Sequence, residues 1–426
     1  MTVKLSRTKA IAAVTGAASI ALIATGCSPS TGSEGGGDGG AIELTVATFN
    51  DFGYTDELLQ EYMDDNPDIT VVHNKAATTN EARANYFQKL GKGGLADIEA
   101  IEVDWLPEVM QYSDLLAEVP ADLSDRWLDW KAGAATDTDD RLIGYGTDIG
   151  PEAVCYRSDL FAAAGLPTDR ESVATLLEGD WNTYFDVGAQ YSAATGKAWF
   201  DSAASSYQGM INQVEAAYED PDSGEIIATD NAEVEDIYNQ VLEASATQSA
   251  HLGQWSDDWF AGLSNGAFAT MLCPGWMLGV ISGNAEGVTG WDVANVFPNG
   301  GGNWGGSYLT VPADGEHVEE AQKLADWLTA PEQQIKAFVN AGTFPSQVDA
   351  YEDEALTGFV NEYFNDAPVG ELFIERANAV EVSPFKGEFY FQINDAMQKA
   401  LTRVEDGTQD QQASWDQWVS EVDAIG

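Results

Sequence analysis

Basic residues are scarce in this chain: nineteen Lys and Arg stand against seventy Asp and Glu in 426 residues, a formal net charge of −51. A surface so acidic repels phosphate backbones and anionic headgroups, which argues against nucleic acid and charged lipid as partners. Histidine is scarcer still, and His73, His251 and His317 lie far apart without metal-site spacing. No G-x-S-x-G nucleophile elbow is present. Beyond the N-terminal segment no apolar run approaches the length needed to span a bilayer. The stretch "DPDSGE" at Asp220 to Glu225 has Gly224 where a calcium loop needs an oxygen ligand, and Asn231 where it needs a bidentate glutamate, so it reads as a turn. No metal, no cofactor and no enzymatic chemistry is expected. Carboxylates are so abundant that pairs at glycosidase spacing arise by chance and point nowhere.

Glycine is plentiful, and "FPNGGGNWGGSY" contains a match to G-x-G-x-x-G at Gly300, Gly302 and Gly305. A dinucleotide site needs a strand before the glycines and a helix after them. "WDVANVF" alternates like a strand, but "SYLTVP" is β-branched and aromatic and stops at Pro312, so a second strand follows. The segment reads as a glycine-rich strand-to-strand crossing that carries Trp304.

The N-terminus begins basic, "MTVKLSRTK", and continues with the short apolar run "AIAAVTGAASIALIA", which ends in "ATGC". This resembles a bacterial lipoprotein signal, although Ala24 stands where Leu is usual. The resemblance implies a signal peptide over 1–26, lipidation of Cys27 and an extracytoplasmic protein anchored to the outer face of the cell membrane. Removing Lys4, Arg7 and Lys9 would leave a net charge near −54. A Gly/Ser-rich tether, 27–41, follows, with a coil reach of roughly 20 Å. If Cys27 carries lipid, Cys155 and Cys273 remain. In an oxidising compartment they form either a bridge or two buried thiols, and the sequence leaves both open.

The body after the tether exceeds one ordinary domain, which predicts two lobes. Strand-like "AIELTVATFN", "DITVVHN" and "ADIEAIEV" alternate with helix-like "TDELLQEYMDDNP", "NEARANYFQKLGKGG" and "WLPEVMQYSDLLAEV". That order predicts an α/β architecture with a largely parallel sheet. Longer helices follow, including "HVEEAQKLADWLTAPEQQIKAFVNAG", and two amphipathic helices close the chain.

"DRLIGYGTDIGPEAVCYRSDLFAAAGLP" resembles the signature region of family 1 extracellular solute-binding proteins, the maltose-binding-protein type. "LSNGAFATMLCPGWMLG" and "FVNAGTFPSQVDAY" resemble further segments of that family in the same order. Arg157 departs from the Asn or Asp usual after the tyrosine. The resemblance implies a two-lobed periplasmic-binding-protein fold of type II, with lobes hinged around a ligand cleft. It places 42–149 plus about 305–348 in the N-terminal lobe, and 150–304 plus about 349–426 in the other. It implies a monomeric receptor that delivers a di- to tetrasaccharide to the permease subunits of an ABC importer, and it makes the glycine-rich crossing a hinge.

Thirteen tryptophans and fifteen tyrosines suit such a ligand, since sugar C–H faces stack on indole while carboxylates and amides take the hydroxyls. Ligand crevices lie at the carboxyl ends of strands in α/β sheets. The candidates there are Asn50 and Asp51 in "TFNDFGY", with Phe52 or Tyr54 as walls, Asp104 and Trp105 in "EVDW", and Asp148 in "GTDIG". Trp276 in "CPGWM", Trp304 in the glycine-rich crossing, and Phe385, Lys386 and Glu388 in "SPFKGEFY" complete the set. The same fold binding a polyamine or another non-sugar solute is the main alternative, and a surface glycoside hydrolase is a second.

Overall fold

The computed structural model describes residues 41–425. The signal-like segment, Cys27 and the tether up to Gly40 lie outside the described residues.

The strands are β1 (Ile42–Phe49), β2 (Ile69–Ala76), β3 (Ile98–Glu102), β4 (Tyr145–Arg157), β5 (Thr270–Pro274), β6 (Trp291–Ala294), β7 (Asn303–Thr310) and β8 (Phe344–Pro345). Helix Asp56–Asp65 joins β1 to β2, and helix Thr79–Lys89 joins β2 to β3. Each starts at a threonine, Thr55 or Thr78, whose hydroxyl accepts an amide of the first turn. These right-handed units make β1 parallel to both β2 and β3.

The expected largely parallel sheet is not what the remaining strands form. β7 runs antiparallel between β3 and β4, and β4 pairs antiparallel with β5, β6 and β8. The reason lies in connectivity: β4 leaves the first lobe for the second and β7 comes back from it, neither through a β-helix-β crossover. β4 is thirteen residues long and buried throughout. Its first half sits beside β7 and β8, and its second half beside β5 and β6. It therefore belongs to both lobes of the mixed α/β fold.

Two expected helices are broken. "WLPEVMQYSDLLAEV" is helical only over Leu106–Met110, followed by a 3-10 turn at Ser113–Leu115. Beyond it the amide of Ala117 donates to Val311 O (2.8 Å) and that of Val119 to Leu142 O (2.7 Å), so sheet-edge pairing overrides helix propensity. "HVEEAQKLADWLTAPEQQIKAFVNAG" forms helices Val318–Leu328 and Pro331–Ala341, because Pro331 cannot continue a helix but starts the next one well.

Apolar packing among the described residues gathers in three clusters. One surrounds β1 to β3 and the helices beside them, including Leu44, Val46, Ile98 and Trp105. A second lies under the long helices of the other lobe around Tyr156, Trp181 and Trp199. The third flanks the second half of β4 and contains Cys155 and Cys273, which are joined in a disulfide with Cα atoms 5.4 Å apart.

Candidate functional site

A cavity of about 870 Å³ opens where β1, β2 and β3 end, the size of a small-molecule site. The turn after β1 contributes Asn50 and Asp51, and β2 contributes Lys75 near its end. Glu102 and Asp104 come from the end of β3, and Asp148 from the first half of β4. Part of the wall is aromatic: Trp255, Trp276 and Trp304 all line the cavity.

The backbone builds this wall. Trp276 Nε1 donates to Trp304 O at 3.0 Å, and the two rings meet edge to face with centroids 6.0 Å apart. Trp255 lies nearly parallel to Trp276, 21° between planes and 6.1 Å between centroids. Trp304 O packs directly on Gly150, where a Cβ would overlap it. Gly305 and Gly306, inside β7, have φ of 78° and 112°, a region that side chains rarely adopt. A Cβ at Gly306 would come within 2.7 Å of Asp148 O. The glycines of the crossing thus serve close backbone approach around Trp304.

The floor is charged, and part of that charge is paired. Asp51 Oδ2 lies 3.6 Å from Lys75 Nζ, and both are largely exposed. Asp104 is ion-paired with Lys386, and Asp395 with Lys399. Lys131, fully buried, donates from Nζ to Asp148 O at 2.7 Å and sits 3.9 Å from the centre of the Tyr308 ring. Burial lowers its pKa to about 7, against the pull of Asp148 and Glu102. Burial likewise raises the Asp148 carboxyl, an effect opposed by Lys131 and by the Thr147 hydroxyl, which donates at 2.9 Å. Burial and then Asp104 push Glu102 well above the usual carboxylate range, while Lys386 pulls it down.

Of the residues singled out from sequence, Asn50, Asp51, Phe52, Asp104, Asp148, Trp276 and Trp304 line the cavity. Five others lie off it, among them Tyr54, which is buried in the core. Trp105 is fully buried against Tyr86 and Phe87, with Nε1 donating to Thr79 Oγ1 at 3.1 Å, so it packs the core. Phe385 is fixed by its backbone, whose amide donates to Glu215 O at 2.7 Å. Lys386 stands behind Asp104, and Glu388 is exposed. Glu102, Lys131, Trp255, Gln208, Asn394 and Gln398 escaped the sequence reading. Glu102 was within reach, since it shares the strand end "EVDW" with Asp104. Gln208 and Asn394 come from helices whose cavity-facing side carries no sequence mark.

Among the described residues no cluster of three His, Cys, Asp or Glu could hold a metal ion, and no helix is long and apolar enough to cross a membrane. A cleft between strand ends and an aromatic wall, in a two-lobed α/β fold with a shared crossing strand, defines a binding protein for a small solute. The profile of the bacterial extracellular solute-binding protein family matches residues 57–361, and the chain belongs to that family, whose members bind solutes rather than catalyse reactions. A crystal structure of an extracellular solute-binding protein of family 1 is 48% identical, over 90% of this chain and 99% of that one, with a TM-score of 0.80. The ABC-transporter-associated binding protein of B. animalis subsp. lactis, solved with β-1,6-galactobiose, shares the fold at 17% identity, over 89% of this chain and 96% of that one (TM-score 0.75). So does the galacto-N-biose/lacto-N-biose I-binding protein of Bifidobacterium longum, solved with lacto-N-biose, at 18% identity over 90% and 96% (TM-score 0.72). No curated protein matches the chain.

Proposed function

We propose that this protein is the receptor of an ABC importer for a neutral di- to tetrasaccharide, held at the outer face of the cell membrane by lipid on Cys27. It would act as a monomer, deliver its cargo to membrane permease subunits, and close its lobes, with boundaries near 149, 305 and 348, around the ligand. The observation that carries the reading is that Trp255, Trp276 and Trp304 line one cavity together with carboxyl and amide groups. Indole faces take the C–H surfaces of sugar rings, and the polar groups take the hydroxyls.

Charge pairing favours an uncharged ligand over a polyamine. Three of the chain's few basic residues, Lys75, Lys386 and Lys399, are ion-paired with carboxylates of this cavity, and a fourth, Lys131, is held on the Asp148 carbonyl. A site for a polycation would leave its carboxylates unpaired. The sugar-bound relatives of the same fold support the reading, and the lipoprotein-like N-terminus supports the anchor.

A thermal-shift screen of the tether-free protein against neutral disaccharides, spermidine and phosphorylated sugars tests it. A rise in Tm confined to neutral glycans, with the glycan recovered uncut, is expected. A response to spermidine alone would replace the sugar reading with the polyamine one, and a cleaved glycan would bring back the hydrolase. Radiolabelled palmitate incorporation, lost in Cys27→Ala, tests the anchor.

A further inference from the structure

Two carboxyl groups, Glu102 and Asp104, lie two residues apart at the end of β3, and both line the cavity. The Asp104 amide donates to Glu102 Oε2 at 2.8 Å, which locks the two together. Asp104 Oδ1 accepts the Lys386 ammonium, and these two side chains are 15% and 8% exposed. Lys386 Nζ also lies 4.8 Å from the centre of the Tyr390 ring. Lys131, the other nearby cation, is committed to Asp148 O and the face of Tyr308. One bonded cation therefore serves two adjoining carboxyl groups, and like charges sharing a site disfavour double ionisation. The proton belongs on Glu102, since Asp104 holds the lysine.

Within Glu102 the proton belongs on Oε1, because Oε2 already accepts an N–H. A Cβ placed on Gly305 would stand 4.0 Å from Oε1 and 3.3 Å from Trp276 Nε1, so β7 passes between them with no side chain at position 305. The titratable groups around Glu102 are Asp104, Lys386, Lys131, Tyr308 and Tyr390, and burial with Asp104 favours its neutral form against both lysines.

We infer that Glu102 enters the cleft as a hydrogen-bond donor beside the acceptor Asp104, so that the pair reads an ether-type oxygen of the ligand next to one of its hydroxyls. An ionised carboxylate only accepts, and so binds only hydroxyls. A carboxylic acid adds a donor, which a ring or bridging oxygen can take. The pair thereby selects glycosides over open-chain polyols of equal hydroxyl content. Lys386 is the positioning residue that holds the Asp104 carboxyl in place. This inference rests on the sugar reading above, and the test separates the two.

Glu102→Gln keeps a donor of the same shape, and Glu102→Met removes it. Calorimetry with maltose, lacto-N-biose and β-1,6-galactobiose, and with mannitol as the polyol, is expected to show Glu102→Met weaker than Glu102→Gln by about tenfold or more. Equal losses in the two variants, or tighter binding of mannitol than of every disaccharide, would overturn it. The infrared difference between parent and Glu102→Gln at pH 7 is expected to contain a protonated carboxyl band, and carboxylate bands alone would overturn the inference. If no disaccharide binds the parent, the sugar reading falls while the infrared result still decides the state of Glu102.

Discussion

From Glu152 to Arg157, β4 keeps continuous register with β5 and β6 and is tied to β5 by the Cys155–Cys273 disulfide. From Tyr145 to Pro151 its register against β7 shifts twice. In the regular half the ladder is unbroken and the side chains of Ala153, Val154, Cys155 and Tyr156 fill apolar clusters. In the irregular half Asp148 O turns to Lys131, Gly150 admits Trp304 O, and the Asp148 side chain reaches the cavity. The comparison teaches that one strand divides its labour: regularity holds a lobe together, and each departure from regularity places a group at the cleft.

The largest effect should come from the regular half. Replacing both Cys155 and Cys273 by Ala frees a loop spanning 118 residues and is expected to cost about 4–5 kcal/mol in the chain-entropy description, read by chemical denaturation. Retention of full stability would show that sheet pairing alone anchors this half. In the irregular half, Gly150→Ala forces a methyl into Trp304 O and should cost about 3 kcal/mol while displacing Trp276. A harmless substitution would mean that β4 and β7 can separate at the cleft without loss.

Lys131 sharpens the comparison through pH. Its folded pKa is lowered to about 7 from 10.5, so between those values the unfolded chain holds a proton that the folded protein lacks. Stability should therefore rise with pH from 7 toward 10, by about 2 kcal/mol once coupling to Glu102 and Asp148 is allowed for. Lys131→Met should flatten that slope, and an unchanged slope would assign the effect elsewhere. Trp255→Ala should have the smallest structural effect, under about 1 kcal/mol of stability for a ring 37% exposed, yet weaken glycan binding about tenfold. Equal affinity in the variant would remove Trp255 from the wall.

Much of the fold was readable from local patterns. The alternation around β1 to β3, the glycine-rich crossing and the stop at Pro67 all depend on neighbours close in sequence. Misreadings arose where distant chain took over: the helix expected through Tyr112 yields to Val311 and Leu142, and β7 slips antiparallel between β3 and β4. The site divides in the same way. A strand-end position pointed equally to Asp104 and Trp105, but the turn after β3 leaves Asp104 at the cleft while Trp105, at the start of helix Leu106–Met110, packs into the core.

Taken alone, the sequence carried the family and the export-like N-terminus through the resemblance of its motifs, and the α/β order and the aromatic wealth as matters of short-range period and composition. Only the tertiary structure decided which charges meet. Lys386 reaches Asp104 across 282 residues, and Lys131 is trapped beneath Asp148. Pairing of this kind depends on burial and distance, which no local pattern encodes, and it sets which carboxyl group holds the lysine and which one keeps a proton to offer.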